Sequence, residues 1–509
     1  MVALIPLRRT RARGRAGLAL VLALSAALLT TGGPAATAAD GLGDPVFPSL
    51  GNRGYDALAY HLSFAYRPDT RTVDATAVIT ARPSHDLASL DLDALGLDVH
   101  EVDVDGRPAA FRTHDEKLTV TPGRALRRGA TARVRVTYTA DPHARLPHTG
   151  WVPTANGFAV AGQPASAHTV FPSNDHPRDK ARFTIDVTAP DGLLGVASGE
   201  LTRTTALGDG RTTRRYVSRE PMATELVQVS VGDYTVRERT GPHGLPLRDV
   251  VPTARAADLE PALALTADQL AWAERHLGPF PFEAYGILPA DTDDPDAFGF
   301  TGLETQTLTL YKPNFLRQPE AAIGSHMMHE LVHSWFGDSV SPATWADLWL
   351  NEGHADYYGL LYRYERGWPD AWGYTTLVDR MRYLYGLGDQ WRHDAGPVAS
   401  PTAADLFDSQ RYTGGALVLF ALRERVGEDA FDAIERTFLA RHRYGNATTA
   451  DYIRTASEVS GQDLTAFLTD WLYGHRTPPM PGHPDWTVGA QPVTARGAAG
   501  PVEHGSGTL

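Results

Sequence analysis

His329-Glu330-Leu331-Val332-His333 places two histidines four residues apart, inside a stretch whose other members (Met327, Met328, Leu331, Val332, Trp335, Phe336) are mostly apolar and read as a helix. Residues four apart share a helix face, so both imidazoles can reach one ion. Zinc takes imidazole nitrogen at about 2.0 to 2.1 Å in tetrahedral geometry, and a hydrolytic site uses three protein ligands and leaves the fourth position to water. Glu352, in Trp349-Leu350-Asn351-Glu352-Gly353, stands eighteen intervening residues beyond His333 on the next expected helix, a length that suits two helices joined by a short loop. It is the candidate third ligand. The five-residue pattern alone also occurs on ordinary helix faces; the downstream glutamate is what favours a metal. Glu330 follows the first ligand by one position, about 100° round the helix, so it projects beside the ion, where a general base for the bound water belongs. Asp356, four residues after Glu352, shares that residue's face and could accept the second ring N–H of a ligand histidine, although a surface aspartate is an equal reading. His326 and His354 have no assigned place and read as satisfied polar residues.

These residues need a scaffold, and the chain is long enough to build one. It has 509 residues, 42% apolar and 21% charged, an ordinary globular composition that suggests two to three domains. From Tyr55 to Val236 the pattern has period two (Leu62, Phe64, Tyr66; Val102, Val104; Val134, Val136, Tyr138; Phe183, Ile185, Val187), with Asp105-Gly106 and Asp209-Gly210 as hairpin turns. This predicts an N-terminal antiparallel β domain over 45–237. After Arg237 the period becomes helical, with Leu259, Leu263, Leu270, Ala273 and Leu277 on one stripe and Gly278-Pro279 as a stop. Further helices are expected over 319–336, 348–366, 412–426 and 464–473, with a strand over 303–311, in a second domain spanning 238–476. From Thr477 to Leu509 the chain is rich in Pro, Gly and Ala and reads as a tail without a core.

The whole segment from His333 to Gly353 resembles the zinc segment of the gluzincin aminopeptidases, peptidase family M1, which includes aminopeptidase N and leukotriene-hydrolase-type enzymes. Phe300-Thr301-Gly302-Leu303-Glu304-Thr305 resembles the family's exopeptidase strand Gly-Ala-Met-Glu-Asn in its glutamate and the apolar residue before it. Tyr412-Thr413-Gly414-Gly415-Ala416 resembles the family's Tyr-x-Lys-Gly-Ala helix start, with Gly414 in place of the lysine. The resemblance implies a thermolysin-like α/β zinc metallopeptidase domain with one Zn2+ on His329, His333 and Glu352. It also implies Glu304 and Gln163 as the pocket for the substrate's free N-terminus, and Tyr412 as the hydroxyl that meets the developing oxyanion. It runs from about Phe64 to Trp471. The helical domain that follows the catalytic domain in many relatives is therefore not expected, and a cleft tolerant of longer peptides is.

Arginines to Arg15, an apolar run from Leu18 to Leu29 and Ala36-Thr37-Ala38 predict a signal peptide over 1–38, cleaved after Ala38, and hence a secreted, extracellular protein. The route, general secretory or twin-arginine, stays open. Zero cysteines exclude disulfides, thiolate metal sites and a cysteine nucleophile. Loss of five arginines with the signal would take the formal charge from −13 to −18, which opposes nucleic-acid or anionic-membrane partners. The expected protein is a monomeric zinc aminopeptidase acting on peptides with a free N-terminus. A zinc endopeptidase, or a non-catalytic secreted binding protein on the same scaffold, remain alternatives.

Overall fold

The computed structural model describes residues 41–290 and 299–489. The expected signal peptide and the last twenty residues of the expected tail lie outside them. The described residues cluster as one compact unit.

The period-two segments form an eight-stranded sheet in the spatial order Glu200–Ala206, Arg211–Val217, Arg182–Pro190, Tyr55–Arg67, Thr72–Pro83, Ala132–Ala140, Asp98–Val104, Arg107–Pro108. Alternate residues of the central strands (Tyr60, Leu62, Phe64; Phe183, Ile185, Val187) are buried and their neighbours are not, as a sheet with one core face requires. Asp105 (φ 53°) and Gly106 (φ 72°) close a two-residue hairpin with both residues left-handed, the turn whose twist matches that of its strands. The sheet departs from the expectation in one pairing: Tyr55–Arg67 runs parallel to Arg182–Pro190, with Leu62 opposite Ile185. Alternation reports which face a residue takes but not strand direction, and only a long connection of the kind present here can join parallel neighbours.

The second half is built on ten helices among the described residues: α1 Ala256–Leu263, α2 Thr266–Leu277, α3 Pro313–Leu316, α4 Glu320–Val332, α5 Trp349–Glu365, α6 Leu377–Ala395, α7 Ser409–Val426, α8 Glu428–His442, α9 Thr449–Ser460 and α10 Thr465–Tyr473. The expected division at 237 falls within the strand Tyr234–Thr240, which pairs with Pro246–Pro252, so helix begins only at Ala256. Tyr234–Thr240 is largely exposed and its polar residues weaken the strand signal. The expected tail also starts too early. Met480 and Trp486 are buried, Trp486 stacks on Phe420 with ring centroids 6.0 Å apart, and the Thr477 amide donates to Asp389 at 2.6 Å. Pro and Gly abolish periodicity without preventing a loop from packing its large side chains.

Among the described residues, besides a small cluster of Val46, Trp345, Leu348 and Leu406, two large hydrophobic cores result, one under the large sheet and one among the helices. The three short strands Ile287–Pro289, Gly302–Leu303 and Thr309–Tyr311 lie between them. Leu288 and Leu310 point into the first core and Ile287 and Tyr311 into the second, as alternate residues of a strand must. No helix among the described residues is long and apolar enough to cross a membrane.

Candidate metal centre

α4 presents His329 and Glu330, and His333 follows its last residue with helical dihedrals (φ −56°, ψ −25°). The helix stops four residues short of the expected Phe336, because the chain turns through Gly337 at φ 129°. α5 supplies Glu352. The Nε2 atoms of His329 and His333 lie 3.2 Å apart, and each is 3.4 Å from Oε2 of Glu352. Three atoms placed at zinc–nitrogen distance from one centre, with tetrahedral angles between them, are separated by ~3.3 Å. The three side chains therefore fit one such ion as they stand.

The remaining ring nitrogens are directed elsewhere. His333 Nδ1 donates to the Phe336 carbonyl at 3.0 Å, and His329 Nδ1 lies 3.4 Å from Oδ1 of Asp356, whose other oxygen accepts the Thr413 hydroxyl at 2.9 Å. Anchoring Nδ1 in this way keeps each Nε2 lone pair turned to the common centre. The electrostatics ask for a cation there. Burial opposes charge on His329, yet hydrogen bonding to Asp356 and Glu352 outweighs it and lifts the imidazole to about 9; His333 is also raised, by Glu304 and Glu352 against the same burial. Burial likewise opposes the Glu352 charge, but His333 and His329 hold it at about 2. Glu330 is pushed up to about 8 by burial, against the pull of the two histidines. A dication supplies the positive charge that the imidazoles otherwise take up as protons.

Tyr412 sits in the first turn of α7, its ring parallel to that of His329 within 9° at 5.8 Å. α7 begins three residues before the expected start, because Asp408 caps it by accepting the Gln410 amide at 2.9 Å. Burial, then the charges of Glu352, Glu304 and Glu330, raise the phenol well above its usual value and keep it protonated. The tyrosine faces the triangle because α5 and α7 touch at Gly353 and Gly415: a Cβ on either would stand 2.8 to 2.9 Å from the other's Cα. Both neighbours are backbone and cannot swing aside. Gly353→Val is expected to lower stability by about 1 to 3 kcal/mol, seen as a depressed Tm, and to reduce metal retention by shifting the adjacent Glu352.

Gln163 and Glu304, far apart in sequence, meet: Gln163 Nε2 donates to Glu304 Oε1 at 2.6 Å, and that oxygen is 4.0 Å from His333 Nδ1. Glu304 is 4% exposed. It does not lie within a continuous strand over 303–311. The chain reverses instead: Gly302–Leu303 pairs antiparallel with Thr309–Tyr311, Leu303 opposite Leu310, and in the connection Thr307 is left-handed (φ 66°) and accepts the Gly199 amide at 2.7 Å, while the Gln306 amide goes to Leu226. Contacts from Gly199 and Leu226 of the β domain thus hold the hairpin connection that carries Glu304 beside the histidines.

His354, expected as a satisfied polar residue, has Nδ1 2.7 Å from the Leu350 carbonyl and Nε2 3.0 Å from Oε2 of the buried Glu435, away from the ligand triangle. His326 is not merely a satisfied helix residue. Its Nε2 lies 3.2 Å from Oε1 of Glu330 and 2.8 Å from the Thr301 hydroxyl, so it contacts the candidate base directly. The signal was available as the i,i+4 spacing from His326 to Glu330.

The peptidase M1 N-terminal domain matches residues 56–226 and the peptidase family M1 domain matches residues 262–471. Aminopeptidase 2 of Candida albicans is 25% identical over 81% of this chain, and leukotriene A-4 hydrolase of Xenopus laevis is 26% identical over 83%. The chain spans 46% of the Candida protein, 71% of the Xenopus protein and 34% of aminopeptidase A of Gloydius brevicauda, and so covers half or less of several curated relatives. The crystal structure of an M1 zinc metallopeptidase from Deinococcus radiodurans superposes with a TM-score of 0.74 at 29% identity, covering 87% of this chain and 98% of that one. A mutant of the Deinococcus protein bound to a Tyr-Ser-Ala substrate matches with a TM-score of 0.75. Both matched segments come from one family, and the fold agrees over nearly the whole of a solved member, so this chain belongs to peptidase family M1.

Proposed function

We propose that this protein is a secreted zinc aminopeptidase that removes residues from the N-termini of peptides, with Zn2+ on His329, His333 and Glu352. The observation that carries the reading is the Glu304–Gln163 pair beside His333: a nearly buried carboxylate next to the metal ligands has a use if a cation is delivered there, and the free α-ammonium of a peptide is one. A mid-chain amide brings no such charge, so the pocket sets cleavage at the first peptide bond. The name of the Candida protein supports aminopeptidase activity, and that of the Deinococcus protein supports a zinc-dependent peptidase. Export rests on the arginine, apolar and small-residue succession of the first 38 residues.

Bound zinc supplies a water whose pKa falls toward about 7 and an electrophile for the scissile carbonyl. Glu330, beside the ligand triangle and not part of it, receives the proton from the attacking water and returns it to the departing amine. Tyr412 donates its hydroxyl to the carbonyl oxygen as that oxygen gains charge. His326 holds one oxygen of Glu330, which leaves the other to the water.

The test is mass spectrometry of a decapeptide with a free N-terminus and its acetylated counterpart. Stepwise shortening of the free peptide alone is expected; internal cleavage of both would establish an endopeptidase and remove the assigned role of Glu304. Glu304→Gln is expected to lower kcat/KM on free peptides by about 30-fold or more, the roughly 2 kcal/mol and upward that follows loss of one member of a buried charge pair, with zinc content unchanged. Equal loss of zinc and activity would refute the assignment.

A further inference from the structure

A second cluster of metal-type donors lies in the β domain, in residues that the proposed peptidase chemistry does not use. Glu116, His148 and His168 each offer a ligand atom, and the three atoms lie within 4.8 Å of one another. His148 Nε2 is 3.5 Å from Glu116 Oε1, and His168 Nε2 is 3.7 Å from Glu116 Oε2. The carboxylate thus turns one oxygen toward each imidazole, and two imidazoles with one carboxylate are zinc-type donors.

The arrangement around His168 is that of a ligand histidine. The residue is fully buried, and its Nδ1 is 2.6 Å from Oδ2 of Asp175, itself buried and fixed by the Thr224 hydroxyl at 2.7 Å and by the His168 backbone amide at 3.1 Å. A carboxylate on one ring nitrogen sets the tautomer and leaves the other nitrogen as the donor to a metal. That other nitrogen, Nε2, has no hydrogen-bond partner although it is closed off from solvent. An orphaned buried ring nitrogen is costly unless something occupies its lone pair.

The backbone brings the third donor in by an unusual route. Glu116 (φ 61°) and Asp115 (φ 44°) form the left-handed turn between Ala110–His114 and Lys117–Thr121, a turn that ordinarily takes Asn or Gly. The Glu116 carbonyl accepts the Ala94 amide at 2.9 Å and the His168 carbonyl accepts the Leu95 amide at 3.1 Å, so consecutive residues hold both donors in place. His148 comes from a third segment and lies 3.3 Å from the Ser166 hydroxyl through Nδ1, again leaving Nε2 for the centre. Glu116 and His148 are partly exposed, which leaves solvent access for a fourth ligand.

We infer that Glu116, His148 and His168 form a second, structural binding site for a divalent zinc-type cation, which ties a hairpin turn, a loop and the segment carrying Gln163 to one another. The test is zinc stoichiometry by mass spectrometry of the mature chain, equilibrated with Zn2+ and freed of excess by gel filtration. Two zinc per chain are expected in the unaltered protein. His148→Ala and Glu116→Gln should each bind one, keep peptidase turnover and show a lowered Tm. The double variant His329→Ala/His333→Ala should also keep one, now at the second site, so failure at this site and failure at the active centre read differently. One zinc in the unaltered protein and none in the double variant would overturn the inference and identify the cluster as a His168 imidazolium bridging Asp175 and Glu116. Two zinc persisting in both single variants would overturn it as well, by placing the extra ion elsewhere.

Discussion

Glu330→Gln should lower kcat by about a hundred- to ten-thousand-fold while zinc content and Tm stay close to those of the unaltered protein. The size of the loss is that of a positioned proton-transfer group in the transition state. The preserved metal follows from geometry: the triangle is drawn by His329, His333 and Glu352, and Glu330 has no edge in it. The preserved fold follows from shape, because the amide has the volume of the carboxylate and can still meet Nε2 of His326. Steady-state kinetics on an N-terminal residue with a chromogenic leaving group, with metal analysis of the same preparation, checks all three. Retained turnover would remove Glu330 from the chemistry, and loss of zinc would make it a ligand.

Tyr412→Phe is expected to reduce kcat by about a hundred- to a thousand-fold with little change in KM, the signature of a donor engaged as charge develops and not in the ground state. The substitution removes one oxygen and leaves the ring that lies parallel to His329, so the ligand's packing persists. Because burial, and after it the surrounding carboxylates, hold the phenol well above its ordinary value, the hydroxyl stays a donor across the neutral range, and the variant's loss should be the same on either side of neutrality. A defect confined to KM would assign the tyrosine to substrate binding.

The residues most legible in the sequence are those whose partners lie within one or two helical turns. His329, Glu330 and His333 follow from a local period, and Glu352 from a loop length; Asp356 was reachable for the same reason. Glu304 and Gln163 were a different problem. Glu304 lies in the connection of a hairpin, Gly302–Leu303 against Thr309–Tyr311, held by long-range bonds to Gln306 and Thr307, whereas local pattern reads the hairpin as one unbroken strand. The parallel pairing of Tyr55–Arg67 with Arg182–Pro190 was hidden likewise, since period two is indifferent to direction. His326 was missed although its spacing was visible, because a histidine on a mostly apolar helix is more often a satisfied polar residue than a contact of the reacting group. The packing of Trp486 on Phe420 is not legible in the sequence, because Pro and Gly remove the periodicity around it while leaving the loop free to bury a large ring.

The short strands that send Leu288 and Leu310 one way and Ile287 and Tyr311 the other have a thermodynamic consequence. Neither core is complete without side chains from that ribbon, so melting either one strips apolar cover from the other, and the two halves should unfold in a single endotherm whose calorimetric and van't Hoff enthalpies agree. Either half expressed alone would present these leucines or aromatics to water and aggregate. Glu304 sits at the edge of the same ribbon, so the recognition of a peptide's first residue is as cooperative with the fold as the cores themselves: it is lost all at once and never by local fraying.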